Sequence, residues 1–416
     1  MTDVQAADTP LPSDEAAGEG TSTRSARERW TLVAGACLIT VALSAYEIAP
    51  ASVTPLARES LGVGASAAGL LVGALFGTAV VASLPVGALL DRTDSRRAVA
   101  VAVGSLFVAG AWGYFAAAGG SYASLLASRI VGGLGYVVVW NAAIDIVSEA
   151  TSDANRATAV GVFTASAPVG FALGQASSPV VASTFGWPAV FPAFNALALV
   201  GLVLFWPTSR GLGAVGGESP PSLREFGAVL SNRSVWLVGG LGFLGYALYL
   251  FVNSWAPSYL TDEIGLSLAS SGLLVAAFPA VGVLSRVSSG LVSDRLFGGR
   301  RRPVVLLSFL VAAPLVTGMA VLGSVGALIV TLLGAGFAIQ LTLGLSFAYV
   351  GELVSGRVTA TAVAFQTAVG LAGAFVAPIA GGAFIEAAGY TTTFLAAAVL
   401  ATVGVGLAWR APEPGR

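Results

Sequence analysis

Histidine and lysine are absent from this 416-residue sequence, and cysteine occurs once, as Cys37. Without histidine there is no His-based triad, no His-ligated metal and no imidazole pH switch. Without lysine there is no Schiff base and no P-loop lysine, and all 20 basic residues are arginine. A lone cysteine excludes an intrachain disulfide or a cysteine zinc cluster. Charge of either sign is scarce as well. Charged residues make up 10% of the chain, where an average soluble domain carries roughly 25%. With 56% hydrophobic residues and a mean hydropathy of +0.85, the chain has too little charge to face water on all sides. It reads as an all-α polytopic membrane protein, with no enzymatic activity, cofactor or metal expected. A net charge of -1 gives no footprint for nucleic acid.

What is present is a long series of apolar runs. Residues 1–29 are polar and begin with acids, so a disordered cytoplasmic tail is expected there, and nothing resembles a secretory signal. From Trp30 to Arg410, apolar stretches of about 20 residues alternate with short polar breaks, the length that crosses a ~30 Å hydrocarbon core as helix. Twelve spans are expected: 30–52, 66–90, 97–118, 122–148, 157–183, 188–207, 234–256, 268–293, 303–322, 325–350, 359–385 and 391–410. The polar break 208–233, with Gly216-Gly217 and Pro220-Pro221, divides a first bundle, 30–207, from a second, 234–410, and leaves a short cytoplasmic tail, 411–416. With both termini inside, 17 of the 20 arginines fall in cytoplasmic segments. That bias is what the positive-inside rule expects of a plasma-membrane protein.

The two bundles repeat at an offset of 203 residues. Gly69-Leu70-Leu71-Val72 recurs as Gly272-Leu273-Leu274-Val275, and Gly87, Asp91 and Arg92 recur as Gly290, Asp294 and Arg295. Ala157-Thr158-Ala159-Val160 recurs as Ala360-Thr361-Ala362-Val363, and Gly186-Trp187 as Gly389-Tyr390. Parallel repeats of this kind characterise transporters that rock two halves about a central site.

Between spans 2 and 3, Gly87-Ala88-Leu89-Leu90-Asp91-Arg92-Thr93-Asp94-Ser95-Arg96-Arg97 resembles the signature of the major facilitator superfamily, Gly-x3-Asp-Arg/Lys-x-Gly-Arg/Lys-Arg/Lys. A weaker copy, Gly290-Leu291-Val292-Ser293-Asp294-Arg295, follows span 8. Arg129 with Gly133 and Gly135 in span 4 is similar to a second family motif. Asp94 stands where the signature has glycine and Ser95 where it has a basic residue. Span 5 carries only part of the antiporter pattern (Gly161, Pro168, Gly170, Gly174), which leaves import and export undistinguished. The resemblance implies two pseudo-symmetric six-helix bundles and alternating access. It also implies a charge lock at the inner ends of the helices, formed by Gly87, Asp91, Arg92, Arg96, Arg97 and Asp145 with Gly290, Asp294 and Arg295. Asp91 is expected to face the start of span 11 near Arg357, with Glu149 close by. Solvated loop charge is the simpler alternative.

Intramembrane charge is costly, about 2.5–3.5 kcal/mol even on insertion scales, so each case requires a reason. Counting along the spans puts Glu47 and Arg129 at similar depth in the outer part of the first bundle, where they are expected to pair. Such a pair can release a proton when it forms and bind one when it breaks, and the resemblance associates the span-4 arginine with proton coupling. A fixed structural pair, or Glu47 in outward-facing water, fits the same residues. Arg286 lies deep in span 8, four residues before Gly290, and its repeat counterpart is Ser83. The Arg-x3-Gly-x3-Asp arrangement resembles span 8 of nitrate, oxalate and monocarboxylate carriers, where the arginine contacts the anion. A planar guanidinium fork suits a carboxylate or nitrate, whereas a snorkelling arginine at an inner gate is the alternative. Tyr46, Asn253 and Gln340 are the expected polar lining. The chain is thus expected to be a monomeric, proton-coupled secondary transporter of a small organic or inorganic anion. A proton-driven exporter of drugs or metabolites is the alternative, and a transporter-like sensor a third.

Overall fold

A computed structural model of the chain describes residues 25–90, 92–213, 223–354 and 356–414. The first helix begins at Ala26, within the segment expected to be tail. The cause is a capping box, in which Ser25 Oγ accepts from the Glu28 N–H (3.2 Å) and Glu28 Oε2 accepts from the Ser25 N–H (3.0 Å). Helix α1 spans Ala26–Ile48 and continues through a 3-10 turn, Ala49–Val53, into a short helix, Thr54–Leu61. Then follow α2 (Ala65–Leu90), α3 (Ser95–Ala118), α4 (Tyr122–Ala150), α5 (Asp153–Phe185) and α6 (Asn195–Thr208). The expected linker contains a short helix, Leu223–Leu230, while its residues 214–222 lie outside the described ones. The second series is α7 (Arg233–Asp262), α8 (Leu268–Leu291), α9 (Arg301–Val321) and α10 (Val325–Glu352).

The last helical stretch, Thr359–Arg410, is 52 residues long and is broken at Gly389, which has φ 78° and ψ 173°. It therefore forms two helices, α11 (359–388) and α12 (390–410). Gly186, the repeat counterpart at 389 − 203, has φ 84° and ψ 151°. Both glycines reverse the chain in a backbone region that a Cβ disfavours, which is why glycine stands at this position in both copies. With twelve crossings among the described residues, α1 starts and α12 finishes at one end of the bundle, here the termini end; the opposite end is distal. The expected tail from 411 is tied down at its start: Tyr349 Oη donates to Pro412 O (2.8 Å) and the Arg301 N–H to Glu413 (2.7 Å).

The seams between the first six and last six helices also obey the 203-residue offset. At Gly69 on α2, a side chain would collide with Pro378 O on α11; at Gly272 on α8, it would collide with Gln175 O on α5. Both members of each contact are repeat counterparts (69 + 203 = 272; 175 + 203 = 378). Between helices in lipid, close backbone approach and dispersion contacts replace the hydrophobic effect as the source of attraction. Distal to these glycines the halves are tied further, since the Ser66 N–H donates to Glu386 Oε1 (2.9 Å). Toward the termini end the seam loosens. An added Cβ at Gly87 or Gly290 would meet nothing within 4 Å. Around the perimeter, large apolar side chains such as Val81, Phe115, Phe185 and Val399 are exposed and supply the lipid-facing belt.

Candidate functional site

Arg129 is fully buried at 0% exposure, and its guanidinium is held by main-chain oxygens. Nε donates to Leu71 O (2.9 Å), Nη1 to Tyr46 O (3.0 Å) and Nη2 to Glu47 O (2.7 Å). Local sequence explains why two of these acceptors are available. Residue 50, four beyond Tyr46, is proline and has no N–H to give that carbonyl, and the 3-10 turn that follows α1 shifts the pattern away from Glu47 O. The negative end of α1 thereby meets a buried cation. Tyr46 completes the arrangement, its ring centroid 4.5 Å from Arg129 Cζ.

In place of the expected side-chain ion pair, Arg129 donates a hydrogen bond to the Glu47 main-chain carbonyl. The two residues do meet, but through the Glu47 carbonyl. The carboxyl group is itself buried, with residue exposure of 2%, and its Oε1 has no hydrogen-bond partner.

In the second half, Arg286 is partly exposed, its Nε has no hydrogen-bond partner, and its Cζ lies 5.7 Å from the Tyr249 ring centroid. Tyr136 and Trp140 on α4 stack with ring centroids 6.3 Å apart, and Tyr246 lies on α7. Tyr136, Trp140, Tyr246 and Arg286 are all partly exposed although their helices are packed inside the protein. Tyr249, beneath Arg286, meets Phe171 of the first half with ring centroids 5.4 Å apart, so Arg286 sits where the halves meet.

Asn253 and Gln340, expected on the cavity wall, are instead enclosed at 0% exposure. Gln340 Nε2 donates to Phe278 O (3.1 Å) on the neighbouring helix. Asn253 joins the halves on the distal side: Gln175 Nε2 donates to Asn253 O (2.7 Å), Asn253 Nδ2 donates to Tyr249 O (2.8 Å), and Ser52 Oγ donates to Gln175 Oε1. A buried amide seeks such partners; helix-to-helix bonding supplies them for Asn253 and for the Gln340 amide N–H, while Gln340 Oε1 has none. Tyr46 is likewise enclosed, beneath Arg129. Sequence reading missed Tyr136, Trp140 and Tyr246. Tyr249 was within its reach, being the 203-residue counterpart of Tyr46.

At the termini end the charged motif is split. Arg96 is drawn to α6, where Nε and Nη2 donate to Trp206 O (3.1 and 2.8 Å) and Cζ sits 3.6 Å over the Trp206 ring. It does not meet the ends of α2 and α4 as expected. Arg97 approaches Asp94 (3.7 Å), which caps α3; Glu149 accepts from the Gly213 N–H (2.7 Å). Arg92 and Asp145 are exposed. Asp91 and the side chain of Arg357 lie outside the described residues. The second copy is more compact: Arg301 bridges Asp294 and Glu352, each at 2.8 Å, beside an exposed Arg295.

A twelve-helix bundle with a two-fold internal repeat and a partly exposed arginine where its halves meet is the architecture of a secondary transporter. Residues 33–363 match the model of the Major Facilitator Superfamily, and the chain belongs to that family. It is 24% identical over 327 residues to a probable L-galactonate transporter of Escherichia coli, covering 73% of this chain and 70% of the relative. It is 26% identical over 403 residues to the 3-(3-hydroxy-phenyl)propionate transporter of the same organism, covering 92% and 94%. Its fold is similar, at a TM-score of 0.78 and 17% identity, to a bacterial homologue of the human lysosomal transporter Spinster in an inward-facing, unoccupied conformation, covering 93% and 98%. The protein is a multi-pass membrane transporter and not an enzyme.

Proposed function

We propose that this chain carries a small organic anion across the plasma membrane by alternating access, coupled to proton movement. Relatives named for galactonate and hydroxyphenylpropionate both handle carboxylates. The observation that carries the reading is Arg286, partly exposed in the cleft with Nε unpartnered. A guanidinium deep in a membrane bundle with donor capacity to spare is matched to an anionic solute. Arg129 cannot serve the same purpose, because main-chain carbonyls already hold it.

In this account the bundles 30–207 and 234–410 rock about the cleft, with both termini in the cytoplasm. The tight distal seam and open glycines at the termini end then correspond to an inward-open state. Glu47 is the proton carrier. A proton on its carboxyl removes the cost of burying a charge without a donor, and the nearby guanidinium favours its release once the site hydrates. The charges around Asp94, Arg97, Asp294 and Arg301 regroup when the termini end closes. One chain supplies both walls of the cleft, so a monomer suffices. The test is uptake of carboxylates into proteoliposomes under an imposed pH gradient, with saturable accumulation expected. Carboxylate flux that ignores Arg286 would overturn the reading.

A further inference from the structure

The rings around Arg286 bear on which anion the cleft accepts. Trp140 stacks on Tyr136, with centroids 6.3 Å apart and an interplanar angle of 13°, and both are partly exposed. Across the cleft, Tyr249 lies beneath Arg286 and meets Phe171 of the first half at 5.4 Å. Depth agrees with this assembly. Trp140 is 18 residues beyond Tyr122, and Arg286 is 18 beyond Leu268, both counted from distal helix ends. At 1.5 Å per residue each lies about 27 Å down its helix.

Three amide side chains of these helices, by contrast, already donate within the protein. Asn141 Nδ2 donates to Val137 O (2.9 Å), Asn253 Nδ2 to Tyr249 O (2.8 Å) and Gln340 Nε2 to Phe278 O (3.1 Å). Of the groups a polyhydroxy acid requires, the Tyr249 hydroxyl is unpartnered, and every solute hydroxyl left unmatched pays a desolvation cost. An aryl group requires ring contact, and the partly exposed rings of Tyr136, Trp140 and Tyr246 offer it. The charge count points the same way, because Arg286 is the one partly exposed cation at this depth among the described residues.

We propose that the cleft selects aryl and arylalkyl monocarboxylates, with the carboxylate on Arg286 and the ring against the Tyr136–Trp140 wall. The proposal rests on the reading of Arg286 as the anion contact. It separates this chain from carriers of sugar acids.

The test is calorimetric binding to the purified full-length protein, using 3-phenylpropionate, glucuronate, lactate and tetraphenylphosphonium as probes. Wild type is expected to bind 3-phenylpropionate at least about tenfold more tightly than glucuronate or lactate, the scale of one good ring contact. Trp140→Leu should lose about that factor for 3-phenylpropionate and keep lactate affinity, while Trp140→Phe should retain most of both. Glucuronate binding as tightly as 3-phenylpropionate overturns the aryl proposal and leaves the anion reading standing, as does an equal loss of both acids in Trp140→Leu. Binding of the phosphonium alone, unchanged in Arg286→Ala, overturns the anion reading itself. The wild-type ranking decides the matter even if the leucine variant does not fold.

Discussion

Tyr46 and Tyr249 occupy equivalent places in the two halves, 203 residues apart, and each has an arginine guanidinium over its ring. The arginines are not equivalent: Arg129 comes from α4 at 4.5 Å and Arg286 from α8 at 5.7 Å. One is held by three main-chain carbonyls, and the other keeps an unpartnered Nε. The fold thus supplies two cation–aromatic pairs, one enclosed and one partly exposed.

The first prediction separates the roles of Arg129 and Glu47. Arg129→Leu should be strongly destabilising, since up to three buried carbonyls lose a donor at about 1–3 kcal/mol each, partly offset by removal of a buried charge. Glu47→Gln should leave stability close to wild type, because the contact to Arg129 uses the main chain. Thermal unfolding of both variants in one detergent checks the difference. Equal destabilisation by the two would mean that the Glu47 carboxyl does bond the guanidinium.

Coupling gives the second prediction. Glu47→Gln mimics the protonated carboxyl, so it should keep substrate exchange between vesicle interior and bath while losing accumulation driven by a pH gradient. Counterflow and gradient-driven uptake, measured on the same vesicle preparation, provide the comparison. If the glutamine variant concentrates solute as wild type does, the proton resides elsewhere.

Gly69 provides the third. Gly69→Val places a side chain against the Pro378 carbonyl, and backbone cannot yield without parting the distal seam. In a Cys37→Ser background, spin labels at Ser60 and Thr391 should move apart in this variant. Gly272→Val, at the equivalent seam, should widen the same distance. An unchanged distance in both would show that the distal seam does not gate.

How much of this was legible beforehand depended on whether the signal lay along the chain or around a helix. Span positions, the repeat and its reversing glycines, Gly186 and Gly389, all follow from order along the chain, and the residue count put Glu47 and Arg129 at one depth. Azimuth was not readable. These helices are apolar on nearly every face, so no moment marks the side that lines the cleft. Asn253 and Gln340 were therefore expected on the cavity wall and are found between helices, while Tyr136, Trp140 and Tyr246 were passed over among other aromatics. The backbone capture of Arg129 was missed for a different reason. It depends on a missing donor, the N–H that Pro50 lacks, rather than on any charged group.

Topology gives the fourth prediction. Single cysteines at Gly120 and Ser324, both exposed in distal turns, should react with an impermeant thiol reagent added to intact cells lacking Cys37. A cysteine at Gly216 should react only after permeabilisation. The opposite pattern would invert the assignment of the termini to the cytoplasm, and with it the inward-open state.

The central claim is that Arg286 carries the anion, and proteoliposome uptake tests it most directly. Wild type, Arg286→Lys and Arg286→Ala are compared for 3-phenylpropionate, glucuronate and lactate under an inward pH gradient. The account predicts saturable accumulation of at least one acid by wild type. It predicts weaker apparent affinity in the lysine variant, which keeps the charge but loses the planar fork, and loss of uptake in the alanine variant with membrane insertion intact. Accumulation by Arg286→Ala at the wild-type rate would contradict it.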